Sequence, residues 1–312
     1  YSGATNGWIP LDDDAVADAP VPPATQKAIF GYGYASSYSS LSNLVSSSGV
    51  VASDTTGVGT ARYGLMASSY GGDKAIFAYG IIVSKVSMSN LVTNVGVVGS
   101  DVTGVGTARR SGGGASYGGN KAIFAYGQDG SNTDVSMSNL VSTIGVVASD
   151  TTGVGTARLE TTAASYGGDK AIFGYGDGGS RVSLTNLVSN SGLVSGDVTG
   201  VGTARQGLAA ASYGTDKAIF GYGFTGSNSS LTNLVSNTGV VAADVTGVGT
   251  ARYYLAAAGY GGDKAIFGYG TTDPPNVSLT NLVSSSGVVA SDTTGVGTAR
   301  RYLAAAGYST SA

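Results

Sequence analysis

The chain has 312 residues, and its 16 Lys and Arg side chains stand against 19 Asp and Glu, which gives a formal net charge of −3. This low, mildly acidic charge argues against nucleic acid as a partner, because phosphate binding requires clustered Lys and Arg. Cysteine and histidine are absent, which excludes disulfides, thiol and imidazole catalysis, and zinc sites built from those ligands. No apolar run approaches the ~20 residues of a membrane span, so no membrane insertion is expected.

Residues 1–26 precede the repeats and are predicted to form an extended arm or linker. Trp8, Ile9 and Pro10 make a small apolar segment, and prolines at positions 20, 22 and 23 favour a stiff, extended chain. Two interpretations stay open. The arm docks on a neighbouring protein with Trp8, Ile9 and Pro10 as its anchor, or it packs back on its own repeats.

From residue 27 onward the chain consists of six copies of one unit. Successive copies of the segment Lys-Ala-Ile-Phe are 47, 47, 49, 47 and 47 residues apart. A fixed period of this length is typical of solenoids and propellers. The segment begins at Lys27, Lys74, Lys121, Lys170, Lys217 and Lys264.

Each copy has four short segments with strand character, separated by turns. In the fifth copy they are an Ala-rich run at 208–213, the Lys-Ala-Ile-Phe strand at 217–223, a strand at 230–235 and a fourth that begins at Val240. The Ala-rich strand suits the crowded axis of a propeller, where only small side chains fit. The sequence therefore predicts an all-β fold, a six-bladed β-propeller with four strands per blade over residues 27–312.

The two ends of the chain complement each other. The first copy lacks an Ala-rich strand, and the last copy is followed by an extra one at 302–308. We predict that 302–308 pairs with 27–33 and closes the ring, which hides two sheet edges that would otherwise be free.

Every copy repeats one arginine, at the end of Gly-Val-Gly-Thr-Ala-Arg, and one aspartate, in Asp-[Thr/Val]-Thr-Gly. We interpret both as structural. The aspartate is expected to accept hydrogen bonds from backbone N–H groups of its own turn, and the arginine to bridge the fourth strand to the next first strand through a carboxylate or backbone carbonyls. Calcium sites are disfavoured because each turn offers one carboxylate, and no metal or cofactor is expected. The residues are Arg62, Arg109, Arg158, Arg205, Arg252 and Arg300, with Asp54, Asp101, Asp150, Asp197, Asp244 and Asp292.

An arginine, a small-residue strand, a Gly-Gly turn and a strand ending in Gly-Tyr-Gly resemble kelch-type propellers, although the kelch Trp is absent. Residues 61–65, Ala-Arg-Tyr-Gly-Leu, and Ile76-Phe77 are similar to kelch-like repeats of tailed-phage virion proteins, especially marine and cyanobacterial ones. The resemblance covers residues 27–308. It implies an extracellular location in a virion, with the arm of residues 1–26 bound to other virion proteins.

The copies differ in two places, the loop between the second and third strands and the residues directly after the repeated arginine. Because antiparallel strands alternate in direction, both places are predicted to open on one face. Exposed Tyr, Asn, Asp and Arg side chains suit contact with a host-surface glycan or protein; the alternative is that these loops vary because nothing constrains them. The candidate ligand-binding residues are Tyr34, Tyr38, Lys85, Arg110, Asp129, Asn132, Asp134, Glu160, Arg181, Phe224, Asn228, Tyr253, Tyr254, Asp273 and Arg301.

The leading hypothesis is a non-enzymatic virion structural or appendage protein, fibre-like or decoration-like, with the propeller as a rigid platform for display or host attachment. The alternatives are a secreted, lectin-like propeller and a designed or consensus-like scaffold. A propeller glycosidase is least favoured, because it requires a placed pair of carboxylates. Glu160 is the only glutamate, and the unrepeated Asp129, Asp134, Asp177 and Asp273 are expected to be scattered over different blades. No catalytic residue is predicted.

Overall fold

The computed structural model describes residues 25–311, in which every regular element is a β-strand. No helix in this part of the chain is long and apolar enough to cross a membrane. The predicted anchor of Trp8, Ile9 and Pro10, and all of the predicted arm except its last two residues, lie outside the described residues.

The strands follow the six copies in chain order. They are Lys27–Tyr34 (β1), Tyr38–Val45 (β2), Met66–Tyr70 (β3), Lys74–Ala78 (β4), Ser89–Val92 (β5), Arg109–Arg110 (β6), Gly113–Tyr117 (β7), Lys121–Ala125 (β8), Gln128–Asp129 (β9), Ser138–Val141 (β10), Thr162–Tyr166 (β11), Lys170–Asp177 (β12), Arg181–Val188 (β13), Ala209–Tyr213 (β14), Lys217–Phe224 (β15), Asn228–Val235 (β16), Ala256–Tyr260 (β17), Lys264–Gly268 (β18), Thr280–Val283 (β19) and Ala304–Tyr308 (β20).

Most strands of residues 25–311 belong to six antiparallel sheets of three strands each. The sheets are β20-β1-β2, β3-β4-β5, β7-β8-β10, β11-β12-β13, β14-β15-β16 and β17-β18-β19, and β6 pairs with β9 in a two-stranded ribbon. The first strands of the sheets contact one another in the order β3, β7, β11, β14, β17, β20 and again β3. The arrangement is all-β and propeller-like.

The predicted fourth strand is reduced to two single bridges in each repeat, so the described sheets have three strands rather than four. In the fifth repeat Val241 pairs with Val235, and Val245 pairs with Thr232. Between these bridges the side-chain amide of Asn233 donates to the carbonyl of Ala242 at 3.0 Å. The backbone N–H groups of Ala242 and Val245 donate to the carbonyls of Leu234 and Thr232, both at 2.8 Å, so the side-chain bond supplements an interrupted ladder.

The Lys-Ala-Ile-Phe segments form the middle strands because they are apolar on both faces. Ile29 and Phe30 are fully buried, as are their equivalents in the other sheets. Each Lys-Ala-Ile-Phe segment is followed, after one small residue, by a tyrosine with positive φ, +62° at Tyr32. The residue before it must be small, because a Cβ on Gly31 would lie 2.7 Å from the ring of Phe77 in the next repeat.

Consecutive repeats are joined by the same three side chains at each interface. Tyr32 packs edge-on against Phe77 at 5.3 Å between ring centroids, and the Cζ of Arg62 lies 4.5 Å from the centroid of the same tyrosine. The same Phe–Tyr contact joins Phe124 to Tyr79, Phe173 to Tyr126, Phe220 to Tyr175, Phe267 to Tyr222 and Phe30 to Tyr269.

The two ends of the described chain lie side by side in one sheet. Strand β20 pairs antiparallel with β1, with Lys27 opposite Tyr308 and Gly31 opposite Ala304. This is the pairing predicted from the sequence, shortened to 304–308 because Tyr302 and Leu303 precede the strand. Arg301 extends the contact by a single bridge to Tyr34.

Candidate functional site

The two variable segments of each repeat lie next to each other. Tyr63 forms a bridge with Ile81, and Tyr253 forms one with Thr271; in the third sheet the contact becomes the β6–β9 ribbon. The residue after each repeated arginine is thus fixed by backbone hydrogen bonds against the loop after Gly-Tyr-Gly. We refer to the surface that these segments form as the variable face.

The repeated arginines hold the repeats together from below this surface. All six have no exposed surface. In Arg205, Nε donates to the carbonyl of Tyr222 at 2.8 Å, Nη1 to the carbonyl of Thr203 at 3.1 Å and Nη2 to Oδ1 of Asn233 at 2.6 Å. The nearest carboxylate oxygen, on Asp244, is 3.7 Å from Nη1. A buried guanidinium requires this set of partners, because an unpaired buried charge is strongly destabilising.

The repeated aspartates join neighbouring repeats, which differs from the predicted bonds within their own turn. Asp244 accepts from the backbone N–H of Thr203 at 3.0 Å and from its hydroxyl at 2.6 Å. It also accepts from the side-chain amide of Asn233 at 2.9 Å. Thr203 belongs to the preceding copy of Gly-Val-Gly-Thr-Ala-Arg, where the positive φ of Gly202, +76°, turns the backbone towards the carboxylate. Both repeated residues therefore make structural contacts.

One half of the variable face carries a continuous series of aromatic rings, which we name the aromatic run. Tyr38 stacks on Tyr63 at 5.5 Å between centroids, and Tyr63 contacts Tyr302 at 5.5 Å. Tyr302 then stacks on Tyr254 at 3.6 Å. The members of the aromatic run are Tyr34, Tyr38, Tyr63, Tyr302, Tyr254, Tyr253 and Phe224.

Two cations border the aromatic run. The Cζ of Arg181 lies 4.9 Å from the ring centroid of Phe224, and that of Arg301 lies 5.7 Å from the ring of Tyr34. These distances are within the range of cation–π contacts. They place a cation at each of two edges of the aromatic run.

The other half of the variable face is a polar cluster around Asp134. Burial raises the pKa of the Asp134 carboxyl, and the charges of Asp177 and Asp129 raise it further, while Gln128 and Lys85 lower it. Asp134, Asp129 and Asp177 are therefore close enough to interact electrostatically. Asp129 and Asp177 are already occupied by their own loops, because each accepts a hydrogen bond at 2.9 Å from a backbone N–H two residues on.

The remaining polar candidates bind to neighbouring loops. Lys85 donates to Oδ1 of Asn132 at 2.5 Å, and the side-chain amide of Asn228 donates to the carbonyl of Thr272 at 2.7 Å. Asp273 lies near Tyr253, whose pKa is raised by burial and then by Asp273. These contacts join adjacent loops around the rim of the variable face.

A ring of six residues, each two positions after a repeated arginine, surrounds an axial cavity between the two halves. All six have positive φ, including Ser111 at +57° and Tyr302 at +53°. At five of the six positions the backbone N–H donates to the carbonyl of the preceding member, as from Ser111 to Gly64 at 2.7 Å and from Gly64 to Tyr302 at 2.9 Å. We name this ring the axial belt; its members are Gly64, Ser111, Glu160, Gly207, Tyr254 and Tyr302.

The axial belt lines a cavity of about 130 Å³, together with the leucines that directly follow four of its members, Leu65, Leu208, Leu255 and Leu303. At its mouth the hydroxyl of Tyr254 donates to Oε1 of Glu160 at 2.9 Å. Burial raises the pKa of the Glu160 carboxyl despite the nearby Tyr254, Gln206 and Arg110, which all lower it. The mouth thus combines a carboxyl group with two stacked tyrosines.

Sequence reasoning selected Glu160 and Tyr254 but did not select Ser111, Tyr63 or Tyr302. The sequence does hold one indication of the axial belt: the second residue after each repeated arginine differs between repeats, and in two repeats it is glycine. Glycine at Gly64 and Gly207 indicates positive φ there, and the same backbone is adopted by non-glycine residues in the other repeats.

Within residues 25–311, no group of three or more His, Cys, Asp or Glu side chains is arranged to hold a metal ion. A comparison with protein-family models finds no match, and neither does a comparison with curated protein sequences.

Proposed function

We propose that the protein is a non-enzymatic attachment protein. Its six repeats form a closed, six-bladed propeller that serves as a rigid platform, and the variable face binds carbohydrate on a surface. The observation that carries the proposal is the aromatic run, seven rings in contact on the face where the repeats differ.

Ring closure is supported by contacts that join the last repeat to the first. Phe30 packs on Tyr269 at 5.1 Å, and Thr298 donates through its hydroxyl to Asp54 at 2.6 Å. Both contacts have equivalents at every other interface. A closed ring protects sheet edges and leaves the loops at its ends as the surfaces available to partners.

Carbohydrate is the favoured ligand class because the variable face is aromatic and polar at once. Tyrosine offers an apolar ring and a hydroxyl at low cost in conformational entropy. The aromatic run is bordered by Arg181 and Arg301 and by the polar cluster around Asp134, so donors and acceptors surround the rings. A sugar presents the matching combination of apolar C–H faces and hydroxyl groups.

A binding role is favoured over hydrolysis because most of the candidate acidic side chains already accept hydrogen bonds from the protein itself. A glycosidase requires two carboxyl groups that face each other across a substrate. Asp129 and Asp177 accept backbone hydrogen bonds within their own loops, and Glu160 is engaged by Tyr254. We expect no release of chromophore from nitrophenyl glycosides, with the wild-type protein and with Asp134→Asn alike; hydrolysis that Asp134→Asn abolishes would instead make the protein an enzyme.

The setting that we propose is a tailed-phage virion, in which residues 1–26 bind another virion protein. It is supported by the resemblance of the repeats. Mass spectrometry of purified phage particles is expected to detect this chain. If the particles lack it, the virion setting is wrong, and the carbohydrate-binding activity is tested separately.

The binding activity is tested on a glycan array with the labelled wild-type protein and the variant Tyr38→Ser. Tyr38 lies at the outer end of the aromatic run and is 39 % exposed, so its replacement should not disturb the core. We expect the wild type to bind a subset of oligosaccharides and Tyr38→Ser to bind them at least about tenfold more weakly. Val240→Ser, at an exposed turn on the other ends of the strands, is the control. Absence of binding by the wild type, or equal binding by Tyr38→Ser, would contradict the proposal.

A further inference from the structure

Unsatisfied polar atoms concentrate around the axial belt. Among the described residues, the buried side-chain nitrogen and oxygen atoms without a hydrogen bond are Nε of Arg110, Oε2 of Glu160, Oγ1 of Thr161, Oε1 of Gln206 and Nε of Arg301. Glu160 and Thr161 line the axial cavity, and each of the other three residues directly precedes a member of the axial belt. Arg110, Gln206 and Arg301 are not themselves part of the cavity lining. Buried polar groups normally have partners, so the two unpartnered atoms in the lining, Oε2 of Glu160 and Oγ1 of Thr161, point to a ligand.

The same positions in the other repeats make this cluster specific to one part of the cavity. Glu160 and Thr161 are the second and third residues after Arg158. The equivalent residues are Gly207 and Leu208 after Arg205, and Tyr254 and Leu255 after Arg252. The cavity therefore has a polar wall around Glu160. Beside it lie Tyr254, whose hydroxyl donates to Glu160 at 2.9 Å, and Tyr302, which stacks on Tyr254 at 3.6 Å with 23° between their planes.

The chemistry of the open atoms selects the ligand class. In the cavity lining, Oε2 of Glu160 accepts, and the Thr161 hydroxyl both donates and accepts. Two cations lie close by, because the charge of Arg110 acts on Glu160 and the Cζ of Arg301 lies 5.9 Å from the ring centroid of Tyr302. An ammonium group would be repelled by these arginines, and a phosphate or carboxylate would be repelled by Glu160. Neutral hydroxyl groups both donate and accept, and they match both atoms of the lining.

We propose that the axial cavity binds one neutral sugar unit, the terminal residue of a glycan, with Glu160 as the main hydrogen-bond acceptor and the Tyr254–Tyr302 pair as its apolar wall. The inference rests on the proposed carbohydrate-binding function and adds the site that selects the glycan. A terminal unit fits because the axial belt encloses the mouth, so an internal unit of a chain would have to bend into it. The remainder of the glycan then lies along the aromatic run.

The test uses Glu160→Gly in the full-length protein. Glycine occupies the same position of the axial belt at Gly64 and Gly207 and accepts the positive φ of Glu160, +55°, so the backbone is preserved. Saturation-transfer NMR with glucose, galactose, mannose and N-acetylglucosamine measures binding of single sugars. The expected result is that at least one of them binds the wild type and that Glu160→Gly weakens it at least about tenfold. Glu160→Gln, which keeps the volume and one acceptor, should weaken it less.

The outcomes separate this site from the proposed function. If oligosaccharides bind and Tyr38→Ser weakens them while Glu160→Gly does not, the axial site is wrong and the attachment surface stands. If no single sugar binds the wild type, or if methylammonium binds in place of the sugars, the axial site is likewise overturned. If neither oligosaccharides nor single sugars bind, both proposals fail. Unchanged thermal midpoints for Glu160→Gly and Glu160→Gln show that a loss of binding is not a loss of fold.

Discussion

Arg300 and Tyr32 are 268 positions apart in the chain, yet the Nε–H of Arg300 donates to the carbonyl oxygen of Tyr32 at 2.8 Å. The same bond joins Arg62 to Tyr79, only 17 positions apart, also at 2.8 Å. The last interface therefore has the geometry of the first. This equivalence is the strongest support for a closed ring, because an open array would leave its terminal residues without these partners.

The first prediction concerns removal of the C-terminal strand. Deleting residues 303–312 removes β20 and exposes the edge of β1, together with the core that Leu303 and Tyr308 cover at 5 % and 2 % exposure. We expect a loss of at least about 4 kcal/mol in the free energy of unfolding, because several buried apolar side chains are lost at once. Urea unfolding measures it.

A circular permutant is the matched control. The N–H of Gln26 donates to the carbonyl of Ser309 at 2.7 Å, so a short linker can join these ends while new ends are opened at the exposed turn around Thr215. It should fold with nearly the wild-type midpoint. A truncated chain as stable as the wild type would contradict closure.

The second prediction concerns the buried arginines. Arg205→Lys cannot supply three N–H groups in the fixed geometry that reaches the carbonyls of Tyr222 and Thr203 and the amide oxygen of Asn233. We expect destabilisation by about 3 kcal/mol, the usual cost of breaking a buried, bonded charge. Arg181→Lys, at an exposed position, should change stability by less than about 0.5 kcal/mol. Equal effects in urea unfolding would show that the guanidinium network is not required.

The third prediction concerns acid. Burial alone would raise the pKa of the Asp54 carboxyl, but hydrogen bonds from Thr298 and Asn43 and the charge of Arg300 lower it overall. A carboxyl with a lowered pKa in the folded state contributes stability that is complete above its unfolded pKa, about 4, and is lost as the pH falls through the folded value. All six repeated aspartates share this shift.

The melting temperature should therefore be constant between about pH 5 and 7 and fall steeply below about pH 4. Asp244→Asn should flatten this dependence slightly, since it removes one of six similar groups, and it should lower stability at neutral pH. A melting temperature that does not change down to pH 3 would exclude the inter-repeat role of these carboxylates.

The fourth prediction concerns alkali. Burial raises the pKa of Tyr32 to about 12 although Arg62 lowers it, and Tyr126, Tyr222 and Tyr269 are raised to about 12 in the same way. Because the folded state favours the neutral phenol, stability is complete below about pH 10 and is lost as the pH rises towards 12. Ultraviolet titration should show a late, cooperative ionisation of the buried tyrosines that coincides with unfolding. A single step near pH 10 for all 19 tyrosines would contradict the packing at the interfaces.

Much of the fold could be predicted because the alignment of the six repeats identifies the equivalent strand in each copy. The Lys-Ala-Ile-Phe segments form the middle strands, and the pairing of residues 27–31 with 304–308 follows from the missing strand of the first copy. The fourth strand could not be predicted correctly, because it is interrupted where the carbonyl of Ala242 accepts from the side chain of Asn233, and local strand propensity does not report such competition.

The site could be predicted in position but not in detail. Alternation of strand direction correctly places the variable segments together, as in the bridge between Tyr34 and Arg301. The donors to Asp54 could not be identified, because Thr298 is 244 positions away and turn chemistry suggests only local partners. The axial belt was missed because non-glycine residues such as Glu160 and Tyr254 rarely adopt positive φ, so nothing in their side chains indicates it.

Hydrogen–deuterium exchange with a bound oligosaccharide, chosen from the glycan array, tests the central claim most directly. We predict slower exchange in the segments 34–38, 63–64, 253–254 and 301–302, which carry most of the aromatic run, and no change in the turn at 46–50 on the other ends of the strands. Protection confined to that turn and its equivalents in the other repeats, or no protection at all, would contradict the assignment of the variable face as the attachment surface.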